Sequence, residues 1–185
     1  MKLIMIRHGQ TELNKNSIVQ GRSDYPLNDK GISDALAGAK VLKKHFDKID
    51  IFVSSPSQRA LLTTQLVAGK YNHHQKVITD EHFYERDFGP YEGRLVKDVF
   101  PIKEFLPGYE LDEEIEKRVF QGVKNLFNQY EGKTVLVGCH SHTIKAILTV
   151  IAADKYVYSS RLVNGAIFVF DVNNDGIKLI YELNN

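Results

Sequence analysis

Two apolar segments of this chain end in a histidine, and this repetition is the sequence feature that most directly suggests chemistry. The first segment, residues 3–6, leads into His8, and the second, residues 134–138, leads into His140. Both have the length and β-branched content of a strand that is buried on both faces. Such strands are usually parallel and carry functional groups at their carboxyl ends. We therefore expect the two imidazoles to meet at one edge of one sheet.

Arginines are expected at the same edge. Arg7 precedes the first histidine, and Arg59 falls in the first turn of the helix predicted after the second strand. The amino termini of helices near Pro56 and Ser141 add backbone amides that have no partner within the helix. Guanidinium forks, imidazoles and free amides together suit a phosphoryl group, which offers several oxygens for hydrogen bonds.

The elements that would position these residues alternate along the chain between strand-like and helix-like patterns. Strands are predicted at residues 3–6, 49–54, 76–79, 134–138, 166–172 and 177–183. Helices are predicted at residues 32–46, 56–71, 112–130 and 142–153, with Ser55 and Asp112 as N-caps and Pro56 at a first helical position. Residues 83–108 are predicted as irregular loop, because glycine and proline recur there. The order predicts a three-layer α/β/α sandwich with a mainly parallel sheet and an antiparallel C-terminal hairpin.

Composition limits the class of protein. The chain has 185 residues, 43% of them hydrophobic, and no linker-like segment, so residues 1–185 are expected to form a single domain. The 24 basic and 23 acidic side chains are interspersed and leave a formal net charge of +1. This balance predicts that the protein binds neither nucleic acid nor an anionic membrane surface.

The cellular compartment is predicted from features that the sequence lacks. The single cysteine, Cys139, excludes an internal disulfide. No signal-peptide pattern and no membrane-length apolar segment is found, so the sequence predicts a soluble, cytoplasmic protein. Its expected partner is a small phosphorylated substrate.

Five ordered segments resemble motifs of the histidine phosphatase superfamily, the phosphoglycerate mutase-like proteins. Residues 7–14 (RHGQTELN) resemble the opening Arg-His-Gly motif, and residues 20–27 (QGRSDYPL) resemble the substrate loop that follows it. Residues 54–60 (SSPSQRA) are similar to the segment that carries a second phosphate-binding arginine. Residues 85–93 (ERDFGPYEG) resemble the acidic motif, and residues 137–140 (VGCH) the segment with the second histidine. The five matches cover most of the chain.

This resemblance implies a role for each matching residue. His8 would attack phosphorus and become phosphorylated, while Arg7, Arg59 and His140 hold the other phosphoryl oxygens. Glu85 would protonate the leaving oxygen and then deprotonate the water that cleaves the phosphohistidine. A neutral imidazole is nucleophilic near neutral pH, and cationic neighbours stabilise the transferring phosphoryl group.

Substrate contacts are implied at Asn14 in the opening motif, at Gln20 and Gly21 in the substrate loop, and at Ser141 beside the second histidine. Ser141 stands where the family commonly has glycine, and Lys145 stands where an arginine is frequent. His142 is interpreted as a helix-capping or exposed residue, and Asp87 and Glu92 as loop-structuring or exposed. The loop residues between 94 and 110, with Phe100, Phe105, Leu106 and Tyr109, are expected to form either a pocket wall or part of the core.

Other mechanisms fit these residues less well. Cys139 and Lys145 approximate a thiolate phosphatase loop, but that loop needs an arginine at its last position, so a buried inert thiol is predicted. His140 and His142 flank one residue without further ligands at metal spacing, so neither a metal nor another cofactor is predicted.

Three functions remain open. A metal-independent phosphomonoesterase is favoured over a phosphoglycerate mutase-type phosphotransferase, because only 54 residues (86–139) separate Glu85 from His140. The mutases of the family have a longer insertion there that excludes water. The third candidate is a non-catalytic phosphoester-binding protein, for which a nucleophile and an acid would have no use.

Overall fold

The computed structural model of the chain describes residues 1–73 and 75–183. In this part of the chain the strands are β1 (Lys2–Arg7), β2 (Ile51–Ser54), β3 (Ile78–Thr79), β4 (Thr134–Cys139), β5 (Ile167–Asn173) and β6 (Gly176–Leu183). The α-helices are α1 (Glu12–Lys15), α2 (Asp29–His45), α3 (Gln58–Lys70), α4 (Val96–Val99), α5 (Asp112–Tyr130) and α6 (Ser141–Ile151). Two 3₁₀ turns lie at Glu81–Phe83 and Gly89–Tyr91.

These strands form one sheet in the order β3-β2-β4-β1-β5-β6. Strands β3, β2, β4 and β1 are mutually parallel, whereas β5 pairs antiparallel with β1 and with β6. The predicted mainly parallel sheet with an antiparallel C-terminal hairpin is confirmed. Since β1 and β4 are neighbours that run in the same direction, their carboxyl ends lie side by side.

Both faces of the sheet are covered, which explains why the central residues of β1 and β4 are apolar. Along β1, Leu3 and Met5 belong to the cluster formed with α5 and α6, whereas Ile4 and Ile6 belong to the cluster formed with α2 and α3. Successive side chains of a strand point to opposite faces, so a strand covered on both faces must be apolar at every position. Burying each such side chain stabilises the fold by about 1.5–3 kcal/mol.

Several predicted boundaries differ from the structure. Helix α3 begins at Gln58 with Ser57 as its N-cap, so the prediction of Ser55 as the N-cap was wrong. Asp112 is the first residue of α5 rather than its cap; the backbone N–H of Leu111, the actual N-cap, donates to the Glu114 carboxylate at 2.7 Å. Glu114 is three residues after the N-cap, so its carboxylate reaches back to the N-cap backbone as in a capping box, whereas the apolar Leu111 side chain makes no capping bond.

The region from 83 to 108 contains more structure than predicted. It includes the short helix α4, and a third apolar cluster forms there around Phe88 and Val99. Phe100, Leu106 and Tyr109 pack against that cluster, whereas Phe105 is 66% exposed. Most of these apolar side chains are therefore part of a small core. No helix among the described residues has the length and apolar character needed to cross a membrane.

Candidate active site

The ends of β1 and β4 bring two histidines together. Arg7 lies opposite Cys139 in the parallel register, and the His8 N–H donates to the Cys139 carbonyl at 2.9 Å. The next residue on each strand is a buried histidine, and the ring centroids of His8 and His140 lie 5.1 Å apart with an interplanar angle of 63°. The structure thus places the two imidazoles edge to face at the carboxyl edge of the sheet.

The hydrogen bonds of His8 fix its tautomer. Its Nδ1 lies 2.7 Å from the Gly9 carbonyl oxygen, which can only accept, so the proton is on Nδ1. Its Nε2 accepts a hydrogen bond from Nε of Arg59 at 3.3 Å. Burial, followed by the charges of Arg59 and Arg7, holds the pKa of His8 well below its ordinary value, against the effect of the Gly9 carbonyl. His8 is therefore a neutral imidazole whose Nε2 carries a lone pair.

Arg59 links His8 to the loop between α1 and α2. Its side chain is fully buried in the first turn of α3, and its Nη2 and Nη1 donate to the carbonyl oxygens of Gly21 and Ser23 at 2.7 and 2.8 Å. Burial lowers the pKa of Arg59, while the charges of Glu85, Asp24 and Glu92 act in the opposite direction. A guanidinium remains protonated in this setting, so the residue supplies a fixed positive charge beside His8.

Glu92 anchors the same loop from the opposite side. Its carboxylate accepts backbone N–H groups of Gly21, Ser23 and Arg22 at 2.9, 2.6 and 3.2 Å. Burial acts to raise the pKa of Glu92, but these hydrogen bonds outweigh it and the pKa is lowered. The interpretation of Glu92 as a loop-structuring residue agrees with this geometry.

Serine side chains orient His140. Ser55 Oγ lies 2.8 Å from His140 Nε2, and Ser57 Oγ lies 3.3 Å from the same atom. Burial, and then the charge of Arg59, lowers the pKa of His140 well below its ordinary value. The sequence pattern predicts Ser55 as a helix cap and does not indicate this role. Its position directly after β2, at the carboxyl edge of the sheet, was the available signal.

Unpaired buried polar atoms collect at this edge. Arg7 Nε, His140 Nδ1 and Gln20 Nε2 are buried and have no hydrogen-bond partner within the described residues. Arg7 donates instead through Nη1 to the Leu162 carbonyl, and burial lowers its pKa to about 10. An unpaired buried donor costs free energy, so such atoms mark where a ligand oxygen would be stabilised.

Glu85 lies at the amino terminus of α6. Its buried carboxylate accepts the Arg86 N–H at 2.9 Å and the His142 N–H at 3.1 and 3.3 Å. Helix amino termini favour negative groups, so this placement holds the carboxylate at the same sheet edge as His140. Five sequence-predicted residues are thereby brought to one edge: Arg7, His8, Arg59, Glu85 and His140.

The residues implied as substrate contacts lie around this group. Asn14 donates to Gln20 Oε1 at 3.5 Å, and Asn164, which the sequence analysis missed, donates to Asn14 at 3.2 Å and to the His8 carbonyl at 3.1 Å. Gly21 has no room for a side chain, because a Cβ there would come within 2.5 Å of the Arg86 carbonyl oxygen. Ser141, the fourth residue implied as a substrate contact, is the first residue of α6.

His142 is buried, so its interpretation as an exposed or capping residue was wrong. Its Nδ1 accepts from Nε of the fully buried Arg86 at 2.9 Å, and its ring packs near Phe88 and Tyr158. Burial lowers the pKa of His142 well below its ordinary value. Lys145 is also buried and donates to the Tyr158 carbonyl at 2.7 Å; burial lowers its pKa to about 8.

Cys139 is buried, and burial raises the pKa of its thiol well above the ordinary value. A protonated, enclosed thiol is a poor nucleophile, in agreement with the inert role predicted for it. Among the described residues, no group of three His, Cys, Asp or Glu side chains is placed to hold a metal ion.

Comparison with known proteins gives a consistent family. The profile of the histidine phosphatase superfamily (branch 1) matches residues 3–184. The uncharacterized phosphatase PhoE of Bacillus subtilis is 34% identical over 88% of this chain and 84% of that protein. The putative phosphoserine phosphatase 2 of Hydrogenobacter thermophilus is 31% identical over 97% of this chain and 94% of that protein.

A solved structure has the same fold. Phosphoserine phosphatase from Entamoeba histolytica, in complex with 3-phosphoglyceric acid, superposes with a TM-score of 0.83 and is 29% identical, covering 100% of this chain and 97% of that one. A mutant of this phosphatase in complex with phosphoserine gives a TM-score of 0.82 at 28% identity, covering 98% of this chain and 95% of that one.

Proposed function

Because the chain belongs to the histidine phosphatase superfamily (branch 1), we propose that it hydrolyses a small phosphorylated metabolite through a phosphohistidine on His8. The family and its phosphatase members make the chain a phosphoric monoester hydrolase. The main support for the proposal is the state of His8, which is neutral, has its proton on Nδ1 and directs Nε2 toward a guanidinium.

In the first step, the lone pair of His8 Nε2 forms a bond to phosphorus as the bond to the ester oxygen breaks. Glu85 enters this step as the carboxylic acid and gives its proton to the leaving oxygen, so that an alcohol departs rather than an alkoxide and Glu85 is left as the carboxylate. The Nε–H of Arg59 loses its acceptor when Nε2 attacks, and an oxygen of the phosphoryl group replaces it. Arg7 Nε and His140 Nδ1 are unpaired and are assigned to the same group of oxygens.

In the second step, Glu85 takes a proton from water and the resulting oxygen attacks phosphorus. The bond to Nε2 breaks, its electron pair returns to His8, and inorganic phosphate leaves. No charge has to come from a metal ion, because two guanidiniums neutralise the transferring group. We expect the enzyme to keep its activity after dialysis against a chelator.

Phosphoserine is the first substrate to test. A relative 31% identical and a structure 28% identical carry the name phosphoserine phosphatase, and the second is in complex with phosphoserine. A recess of about 400 Å³ lined by Arg22, Asp87, Gly108, Tyr109, Glu110 and Glu114 borders the segment that follows Glu85.

A mutase is the second candidate, since a phosphoglycerate mutase of Schizosaccharomyces pombe is 26% identical over 98% of this chain and 94% of that protein. Against it, the region between Glu85 and His140 holds only a 3₁₀ turn, the four-residue helix α4, helix α5 and strand β4. Because this segment is short, water can reach a phosphohistidine at the site. A non-catalytic binding protein would need neither the nucleophile nor the acid.

The deciding experiment follows phosphate release and covalent labelling together. Wild-type protein should release inorganic phosphate steadily from phosphoserine or a generic phosphomonoester, and ³²P should be trapped as an acid-labile label on His8. His8→Ala should abolish both, whereas His45→Ala, which removes an exposed histidine on α2, should change neither. Transfer between positions of a phosphoglycerate with negligible phosphate release would establish the mutase, and binding without label would establish the non-catalytic protein.

A further inference from the structure

The segment that carries Glu85 has little regular structure of its own. After the 3₁₀ turn at Glu81–Phe83 the chain is irregular until the turn at Gly89–Tyr91, so it forms no strand ladder. Backbone carbonyls in such a segment need partners from elsewhere in the fold. The position of the Glu85 side chain therefore depends on the groups that hold these carbonyls.

One side chain of α5 holds three of them. Nη1 of Arg118 donates to the carbonyl oxygens of His82 and Tyr84, both at 2.8 Å, and Nη2 donates to the carbonyl oxygen of Glu85 itself at 3.1 Å. A guanidinium is planar and rigid, so these bonds fix the backbone on both sides of Tyr84 relative to the helix.

Arg118 is itself held by a carboxylate. Its Nε and Nη2 donate to the two oxygens of Glu110 at 2.5 and 2.9 Å, and only 18% and 12% of the two side chains are exposed. Glu110 also accepts the Asp87 N–H at 3.0 Å, and its own N–H donates to the Asp87 carbonyl at 2.8 Å. The Arg118–Glu110 pair is therefore hydrogen-bonded to the backbone before Glu85, at His82 and Tyr84, and after it, at Asp87.

We propose that Arg118 is a positioning residue for Glu85, acting through the backbone of residues 82–87. This inference rests on the proposed function, in which Glu85 transfers the proton. Displacing a catalytic group by about 1 Å can cost on the order of 10²-fold in rate. Arg118 touches neither the nucleophile nor the carboxylate of the acid, so its loss should reproduce the loss of Glu85 in weaker form.

The test compares Arg118→Met with wild type on an alkyl phosphate and on nitrophenyl phosphate. Met keeps the stem and removes the charge and every donor. Phosphorylation of His8 by the alkyl phosphate should slow about 10- to 100-fold. With nitrophenyl phosphate, whose leaving group needs no proton, phosphorylation of His8 should change less than about threefold. Hydrolysis of the phosphohistidine still depends on Glu85 as the base, so this later step should be slowed and a burst of nitrophenol should appear.

A double-mutant cycle separates positioning from a general structural role. In a Glu85→Gln background, adding Arg118→Met should slow phosphorylation by the alkyl phosphate less than about threefold, since the proton it helps to place is already gone. Lys117→Ala, on the exposed face of the same helix turn, is the matched control and should leave all rates unchanged.

Arg118→Lys covers the case in which the Met variant does not fold. It keeps a charge for Glu110, but a single ammonium cannot bond three carbonyls and both carboxylate oxygens. It should show the same selective loss on the alkyl phosphate, and normal turnover by this variant would overturn the inference. So would equal losses by Arg118→Met in the two backgrounds or on the two substrates. Absence of phosphate release by wild type, or unchanged turnover by Glu85→Gln, would refute the proposed function and the inference with it.

Discussion

Arg59 and His8 share a hydrogen bond, in which the Nε–H of Arg59 donates to Nε2 of His8 at 3.3 Å. A guanidinium cannot accept, so this bond requires a lone pair on Nε2 and places the imidazole proton on Nδ1. The two residues are 51 positions apart in the chain, on different elements. In the proposed reaction this N–H changes its acceptor from Nε2 to a phosphoryl oxygen as the bond to phosphorus forms, while the guanidinium stays in place.

Replacing Glu85 with Gln should slow the reaction by an amount that depends on the leaving group of the substrate. The substitution keeps the shape and removes only the transferable proton, so turnover of an alkyl phosphate should fall about 10²–10⁴-fold. Nitrophenyl phosphate should still phosphorylate His8, giving a burst of nitrophenol and accumulation of phosphohistidine in rapid-quench experiments. Equal losses on both substrates without a burst would remove Glu85 from the role of acid.

Ser55→Ala should impair the enzyme more than Ser57→Ala. The hydroxyl of Ser55 lies 2.8 Å from His140 Nε2 and that of Ser57 lies 3.3 Å away, so the first makes the stronger bond. Loss of the stronger bond should lower kcat/KM about tenfold, equivalent to about 1.4 kcal/mol, with a smaller loss for Ser57→Ala. Steady-state kinetics of both variants provide the measurement, and a reversed order would contradict this assignment.

Stability should decrease as the pH falls below 6.5. His8, His140 and His142 have pKa values well below 6.5 in the folded protein, first because of burial, so the unfolded chain binds more protons than the folded one in that range. The free energy of unfolding should therefore drop by up to about 4 kcal/mol per pH unit below 6.5, or about 1.4 for each histidine.

Urea unfolding between pH 7.5 and 5.5 measures this slope. His142→Gln should reduce it by about one third, since one of three groups is removed. His45→Gln, at an exposed position, is the matched control. A pH-independent free energy of unfolding over this range would show that the three imidazoles are not held neutral by the fold.

Glu92→Gln should weaken substrate use without altering the chemistry. An amide presents an N–H group where the carboxylate now accepts three backbone N–H groups, so the loop that carries Gly21 and Ser23 loses its anchor. The same loop supplies the carbonyls bonded by Arg59, so kcat/KM should fall about tenfold. Phosphate-release assays at several substrate concentrations test this, with Glu104→Gln, at an exposed position, as the control. Unchanged kinetics would show that the loop is held without Glu92.

The sequence by itself determined the sheet and the residue types at its active edge. Apolar runs long enough for strands buried on both faces predict parallel pairing, and the alternation with helices predicts the layers. Because strand ends of a parallel sheet share one edge, His8 and His140 could be placed together before any distance was known. The placement of Arg59 at the same edge followed from its position in the first turn of the helix after β2.

Only the tertiary structure decided which atoms of these residues are available. The tautomer of His8, the bond from Ser55 to His140 and the burial of His142 beside Arg86 depend on side-chain rotamers and on contacts between distant parts of the chain. Arg118 has no distinguishing sequence pattern, since an arginine within an amphipathic helix is usually solvated. Local periodicity reports which face of an element is buried, whereas hydrogen-bond partners across the fold are set by how the elements pack.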